Sequence, residues 1–181
     1  MGRPRKVPKE QALERLMQCF WAQGYPGCSM KDLAAASGLN PGSLHSSFGN
    51  KEAIFAQAIE RYAAQLIAAV DGAAQPRAQL EAWFETFLSR TAQSPRGCLM
   101  LASAAELAQL PSGVQVLVQQ QLQGVRGFFA ACLSRMGRDK VTSDAGLLLV
   151  LISGLSVQAR AGMSHEELVH LSQSGLSRLL D

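Results

Sequence analysis

Ser164-His165-Glu166-Glu167 sets a hydroxyl, an imidazole and two carboxylates side by side, the residue types of a nucleophilic relay. Neighbouring residues on a helix do not face one another, so Ser164 and His165 cannot share a proton there. The same residues read better as a helix start after the turn residue Gly162, with Ser164 as N-cap and Glu167 closing a capping box. His165 and His170 stand five apart, a poor fit to one metal ion. Four cysteines, at 19, 28, 98 and 132, include no C-x-x-C pair. A chain of this size needs no disulfide framework, so they read as reduced thiols of a cytosolic protein. We therefore expect no catalytic residues, no metal and no cofactor. Cys98 alone has a reactive reading. It follows Gly97 at the start of an apolar helix, where the helix N-terminus and Arg96 would lower a thiol pKa. The alternative is a small packed hydrophobe.

A second set of polar residues has a more coherent chemistry. Pro41, Gly42, Ser43, His45, Ser46 and Ser47 are the outward residues of a short helix whose Leu44 and Phe48 point inward at i and i+4. Small polar side chains let a backbone approach a DNA groove, and Ser and His bond base edges or phosphates. No Arg or Asn faces outward after Asn40, so phosphate contacts should carry a large share of binding. Ser29 and Lys51 sit at the helix N-termini flanking this helix, with Lys31 beside the first; such termini suit phosphate oxygens. Arg3, Arg5 and Lys6 form a basic arm that suits either a minor groove or a solubilising tail.

The elements that must hold these residues are helical. The sequence has no sustained period-2 alternation of β-branched residues. Ala12, Leu13, Leu16, Met17, Phe20 and Trp21 make one apolar stripe, ended by Gly24 and the turn Tyr25-Pro26-Gly27. Ser29 with Asp32 caps a second helix. Gly38 makes the corner, and Asn40-Pro41 opens the third helix as N-cap and N1. Asn50 then caps a long helix from Lys51 to about Val70. Two short helices across a glycine corner, flanked by a helix on each side, make a helix-turn-helix unit over about 28–48.

Charge agrees. Residues 1–62 hold eight Lys/Arg against five Asp/Glu, and the remainder holds nine of each, so the net +3 lies at the end that carries this unit. Of the 181 residues, 48% are hydrophobic and 17% charged, which excludes a disordered chain. The apolar run from Ala145 to Val157 is too short for a transmembrane helix, and we expect no membrane partner. The N-terminus has no apolar segment of the secretory kind.

Residues 3–62 resemble the DNA-binding domain of TetR-type transcriptional regulators. The likeness rests on Gly2-Arg3-Pro4-Arg5, Phe20-x3-Gly24-Tyr25, Ser29-x3-Leu33-Ala34, Gly38-Leu39, Gly42-Ser43-Leu44, Phe48 and Lys51-Glu52. In that family a Tyr usually follows the Leu of the recognition helix; here His45 stands there, shorter and able to titrate. The resemblance implies an all-α protein. Its parts are an arm and helix-turn-helix domain over 1–50, a connecting helix over 51–71, and a ligand-binding and dimerisation domain over 72–181. It implies a homodimer on a palindromic double-stranded operator, released by an unidentified small effector, with a thiol sensor using Cys98 as the alternative.

The C-terminal part reads as helices over about 78–93, 98–108, 114–136, 143–161 and 165–180, with a polar loop at Gly137–Val141. Trp83, Phe84, Phe87, Met100, Phe128 and Phe129 read by themselves as ordinary core; the resemblance makes them, with Cys98, candidates for an effector pocket. Leu147, Leu148, Leu151, Ile152 and Leu155 form one stripe, and Leu168, Leu171, Gly175, Leu176, Leu179 and Leu180 another. Together they predict a four-helix seam between two subunits, with Gly154 and Gly175 allowing close packing.

Overall fold

The computed structural model describes residues 7–68, 70, 75–93 and 97–181. Among the described residues there are nine α-helices and no strand, as an all-α reading requires. They are α1 (Lys9–Gly27), α2 (Met30–Ser37), α3 (Pro41–Phe48), α4 (Lys51–Ala68), α5 (Pro76–Gln93), α6 (Leu99–Ala105), α7 (Ser112–Arg135), α8 (Val141–Arg160) and α9 (His165–Leu180). The 3-10 turn Leu107–Gln109 follows α6.

Several ends differ from the sequence expectation, each for a local reason. α5 starts at Pro76 rather than Ala78, because proline suits a first helical turn. α7 likewise starts directly after Pro111. α6 stops at Ala105, three residues early, because the chain tightens into the 3-10 turn. α8 begins at Val141, inside the expected loop. Gly24 breaks the helical backbone of α1 at φ 72°, ψ 169°, where the stripe was expected to end.

One buried cluster runs from Ala12 of α1 to Leu180 of α9. α4 joins its two ends, packing on α1 and also on α5, α6 and α7. Ile54, Phe55 and Ala58 of α4 are buried near its start, and Tyr62, Ala63 and Leu66 near its end.

A second tie runs through Gly97. Trp21 Nε1 donates to the Gly97 carbonyl at 3.0 Å, and Cys98 N–H donates to Ser156 Oγ at 2.8 Å. Gly97 has φ +69°, and a Cβ there would fall on Ser156 Oγ and lie 2.5 Å from its carbonyl oxygen, so only glycine fits. α1 and α8, far apart in sequence, are thereby pinned to one short segment.

By length and composition α8 is able to cross a membrane, with mean hydropathy 1.5, more than its 13-residue apolar run suggested. It packs between α7 and α9 and buries Ala145, Leu148, Ile152 and Ala159.

Candidate nucleic-acid interface

The short helix α3 is held by two anchors. Leu44 and Phe48 are buried, each worth about 1.5–3 kcal/mol. They seat on a core that includes Leu16, Phe20 and Leu33. Asn40 caps the helix, its Oδ1 accepting from Ser43 N–H at 2.8 Å. Gly38, at φ 75°, ψ 16°, makes the corner before it, with its N–H donating to the Ala34 carbonyl. Ser37 Oγ, buried at the same corner, donates to Ala34 O and accepts from Leu39 N–H. The turn between the two helices is thus satisfied internally.

With the anchors inward, Pro41, Gly42, His45, Ser46 and Ser47 are exposed and Ser43 is half-buried. These are the expected outward residues, on one continuous surface. Ser46 Oγ donates to the Ser43 carbonyl at 3.1 Å, which leaves its lone pairs for an incoming donor.

Lys51 opens α4 beside this surface, where Asn50 Oδ1 accepts from Ala53 N–H at 2.9 Å. Its ammonium lies 4.3 Å from the centre of the Tyr25 ring, a cation–π contact that holds the charge at the edge of α3. Tyr25 in turn packs edge-on against Phe55. Lys9 Nζ sits over the Phe48 ring at 5.5 Å. Gln57 Nε2 donates to the Phe48 carbonyl at 3.1 Å and satisfies the end of α3. Lys9 and Gln57 were not singled out from sequence; Tyr25 was read only as a turn residue and part of the family likeness, because its pairing with Lys51 has no spacing signature.

Ser29 has a more inward role than expected. Its hydroxyl donates to Asp32 Oδ2 and accepts from Asp32 N–H, and its own N–H donates to the same carboxylate. Those bonds hold the Asp32 carboxyl below its usual range. The anionic carboxylate over this helix end works against a phosphate there, whereas Lys31 is exposed and free to reach one. Arg5, with Arg3 and Lys6, lies outside the described residues.

The expected effector residues divide. Trp83, Met100 and Phe128 line one cavity of about 120 Å³, together with Ala63, Leu66, Ile67 and Val70 at the end of α4 and Gln121, Gly124 and Val125 of α7. Phe84 faces a separate, open groove of about 700 Å³ between α5 and α9. Phe87, Cys98 and Phe129 line neither and are core: Phe129 stacks on Phe84 and meets Trp83 edge-on.

Cys98 is 1% exposed. Burial pushes its thiol up, and the nearby Tyr62 hydroxyl, the amides at the start of α6 and the Arg90 charge, which favour the thiolate, do not reverse this. The lowered pKa expected at a helix start is absent because desolvation dominates. Arg96 lies outside the described residues.

The expected dimer stripes also divide. Leu148, Ile152, Leu155, Leu168 and Leu176 are buried within the subunit, because α8 and α9 pack on each other and on the rest of the core. Gly175 belongs to that internal packing: a Cβ on it would lie 2.7 Å from Leu151 Cδ2. Leu151 and Leu179 are half-buried. Leu147 and Leu171 remain exposed, joined by Val150 and Val157, which the sequence reading passed over.

Residues 12–58 match the family model for bacterial regulatory proteins of the tetR family. The helix-turn-helix unit is thus similar to the DNA-binding domain of that family. The chain is a DNA-binding transcriptional regulator, and the matched span covers all of α2 and α3 and the start of α4. The chain is 28% identical to the HTH-type transcriptional repressor ComR of Escherichia coli, over 97% of this chain and 90% of that protein. The fold is that of CifR, a TetR-family regulator whose cysteine mutant was solved on 26-bp double-strand operator DNA. There the TM-score is 0.82 at 27% identity, over 97% of this chain and 98% of the other. A TetR regulator from Legionella pneumophila has the same fold, with TM-score 0.85 at 21% identity, covering 99% and 100% of the two chains.

Proposed function

We propose that this chain is a homodimeric repressor that binds a palindromic operator and leaves it when a small effector enters the core. It works in the cytoplasm and has no catalytic role. The observation that carries this reading is the exposed, small-residue face of α3, flanked by the fixed charge of Lys51. The family-model match over residues 12–58 and the operator-bound relative support it.

Pro41, Gly42, Ser43, His45, Ser46 and Ser47 meet the major groove, with Ser46 and His45 on base edges. Lys51 and Lys31 meet phosphates, Arg5 reaches from the arm, and Ser29 serves chiefly as a cap. The dimer face is what α8 and α9 leave uncovered. Only 33% of the most apolar stretch of α8 is buried. Leu147, Val150, Gly154 and Val157 recur along its open side at alternating spacings of three and four. Val150 is 67% and Val157 64% exposed, more than an isolated subunit accounts for. Leu171 of α9 continues the face, and Leu151 and Leu179 border it. A two-fold axis there would present two copies of α3 to one side of a duplex.

The effector site is the cavity at the end of α4. An effector that enlarges it must favour a different α4 position from the one the operator fits. Selecting genomic fragments on the purified protein, then measuring their binding at several salt concentrations, tests the reading. A two-fold symmetric consensus with a steep salt dependence is expected. Failure to enrich any fragment, with the protein folded and dimeric, would sink it.

A further inference from the structure

Two thiols that stand nine residues apart in sequence meet inside the helix-turn-helix unit. Cys19 Sγ, on α1, lies 3.5 Å from Cys28 Sγ, in the link between α1 and α2. Cys28 donates its S–H to the Cys19 carbonyl at 3.3 Å, and Gln23 Nε2 approaches Cys19 Sγ at 3.9 Å. Both thiols are free. A disulfide needs the sulfurs about 1.5 Å closer than this, a shift within reach of side-chain rotation and a small movement of the link. The chain between the two cysteines contains the break in α1 at Gly24, so it is already bent back on itself.

We propose that Cys19 and Cys28 are a redox pair which a hydroperoxide converts to a disulfide, loosening the hold of this unit on DNA. The control of DNA binding rests on the proposed function; the thiol chemistry does not. The two sulfurs are unequal. Cys19 is 8% exposed and Cys28 is fully enclosed, so peroxide meets Cys19 first. Burial, with Cys19 beside it, pushes the Cys28 thiol up to about 12, which keeps it protonated. In the first step the Cys19 thiolate attacks the peroxide, an S–O bond forms, the O–O bond breaks, and hydroxide leaves. In the second, Cys28 sulfur attacks the Cys19 sulfenic sulfur. The S–S bond forms, the S–O bond breaks, and the departing hydroxide takes the Cys28 proton and leaves as water, while the first hydroxide takes up the proton that Cys19 gave up on forming its thiolate. Two thiols are oxidised and one peroxide is reduced to two waters. Contact between the sulfurs favours this second step over further oxidation of Cys19.

The consequence for DNA follows from position. Cys28 directly precedes Ser29, the cap of α2, and the end of α1 between the two cysteines carries Tyr25, the ring under Lys51. Drawing the two sulfurs together displaces the start of α2 and the seat of Lys51 together. Cys98, just before α6, and Cys132, on α7, lie elsewhere in the core.

The test treats full-length reduced protein with hydrogen peroxide, blocks remaining thiols by alkylation under denaturing conditions, and maps peptides by mass. The expected product lacks two hydrogens, carries a Cys19–Cys28 cross-link, and binds selected DNA on the order of tenfold more weakly. Dithiothreitol should restore binding. Cys98→Ser should behave as wild type, whereas Cys28→Ala should give a Cys19 sulfenic acid that dimedone traps. If that variant fails to fold, the wild-type peptide map alone decides the chemistry. Overturning results are oxidation confined to other thiols, or a Cys19–Cys28 cross-link that leaves affinity for an established operator unchanged. If the reduced protein binds no DNA, the proposed function fails, while the peptide map still reports on the pair.

Discussion

Arg90 of α5 donates from Nη1 to Gln65 Oε1 of α4 at 2.6 Å. Its guanidinium also lies over the rings of Trp21 and Tyr62, at 5.2 and 4.5 Å. Gln65 passes the connection on: its Nε2 donates to Glu14 Oε2 of α1 at 3.1 Å, and Arg61 Nε donates to the same oxygen at 2.8 Å. A polar chain therefore runs from the cavity end of α4 to the helix on which α2 and α3 rest. Where two sites bias one movable helix, such a chain is where their coupling should be measured. Gln65→Ala should leave operator affinity within about threefold while reducing effector-driven release; titrating operator with and without effector reads both quantities. An unchanged release would mean that coupling passes through apolar packing alone.

Glu14 sets an acid limit on the same junction. Burial pushes its carboxyl up, but hydrogen bonds from Arg61, Gln18 and Gln65 outweigh this and hold it below the ordinary carboxylate range. A carboxyl lowered by folding adds stability above its unfolded pKa and loses it as pH falls through the folded value. Because the pair with Arg61 is partly exposed, about 1 kcal/mol is at stake. Glu14→Gln should cost about that much at pH 7, and the gap to wild type should close as pH falls below about 4. Urea midpoints across pH would show this; a gap independent of pH would locate the effect in packing.

Lys51 and Ser46 separate two kinds of DNA contact. Lys51→Ala should weaken binding to all duplexes alike and lower the salt slope by about one unit. Ser46→Ala should keep the slope and change the ranking of operator variants, by on the order of 1 kcal/mol at the base it meets. Competition binding on a panel of single-base variants distinguishes them, and identical profiles would refute the division.

The dimer face is best tested on residues that do no other work. Leu151→Glu would disturb the packing against Gly175 as well as any seam. Val150→Glu places a charge where the isolated subunit has open surface. It should give a monomer by sedimentation at micromolar concentration, with helical content and thermal transition otherwise retained, and should abolish operator binding. A stable dimer of this variant would move the seam elsewhere.

Gly124 offers a change in the cavity with a stabilising side effect. Apart from its chain neighbours and the backbone of its own helix, no atom lies within 4 Å of a Cβ placed there, and the residue lines the 120 Å³ space. Gly124→Ala should raise stability by about 0.5–1 kcal/mol through helix propensity. It should also weaken effector response while sparing DNA binding. A calorimetric scan and an operator-release assay read the two effects separately.

The N-terminal unit was legible because each of its parts carries a local signal. Ser29 with Asp32, Gly38, Asn40-Pro41 and Asn50 mark helix ends through bonds to their own backbone, and every one of those caps is present. The inward pair Leu44 and Phe48 follows from helical periodicity alone. The C-terminal faces were less legible for a physical reason. On α8 apolar residues occur all round the helix, so periodicity does not distinguish Leu148, which faces the subunit core, from Val150, which faces out. Aromatic residues likewise look alike in sequence whether they fill space, as Phe87 and Phe129 do, or border it, as Phe128 does. Cys19 and Cys28 meet only because α1 bends at Gly24, a long-range consequence that no spacing rule for paired cysteines contains.

The size of the cavity at the end of α4 has a kinetic consequence. At about 120 Å³ it is well below the 300–1,000 Å³ that holds a drug-sized molecule. An effector of that size finds no vacancy to fill and must wait for α4 and α7 to part. Release from the operator should then speed up with effector concentration only to a ceiling, set by the opening frequency of the protein and shared by chemically unrelated effectors.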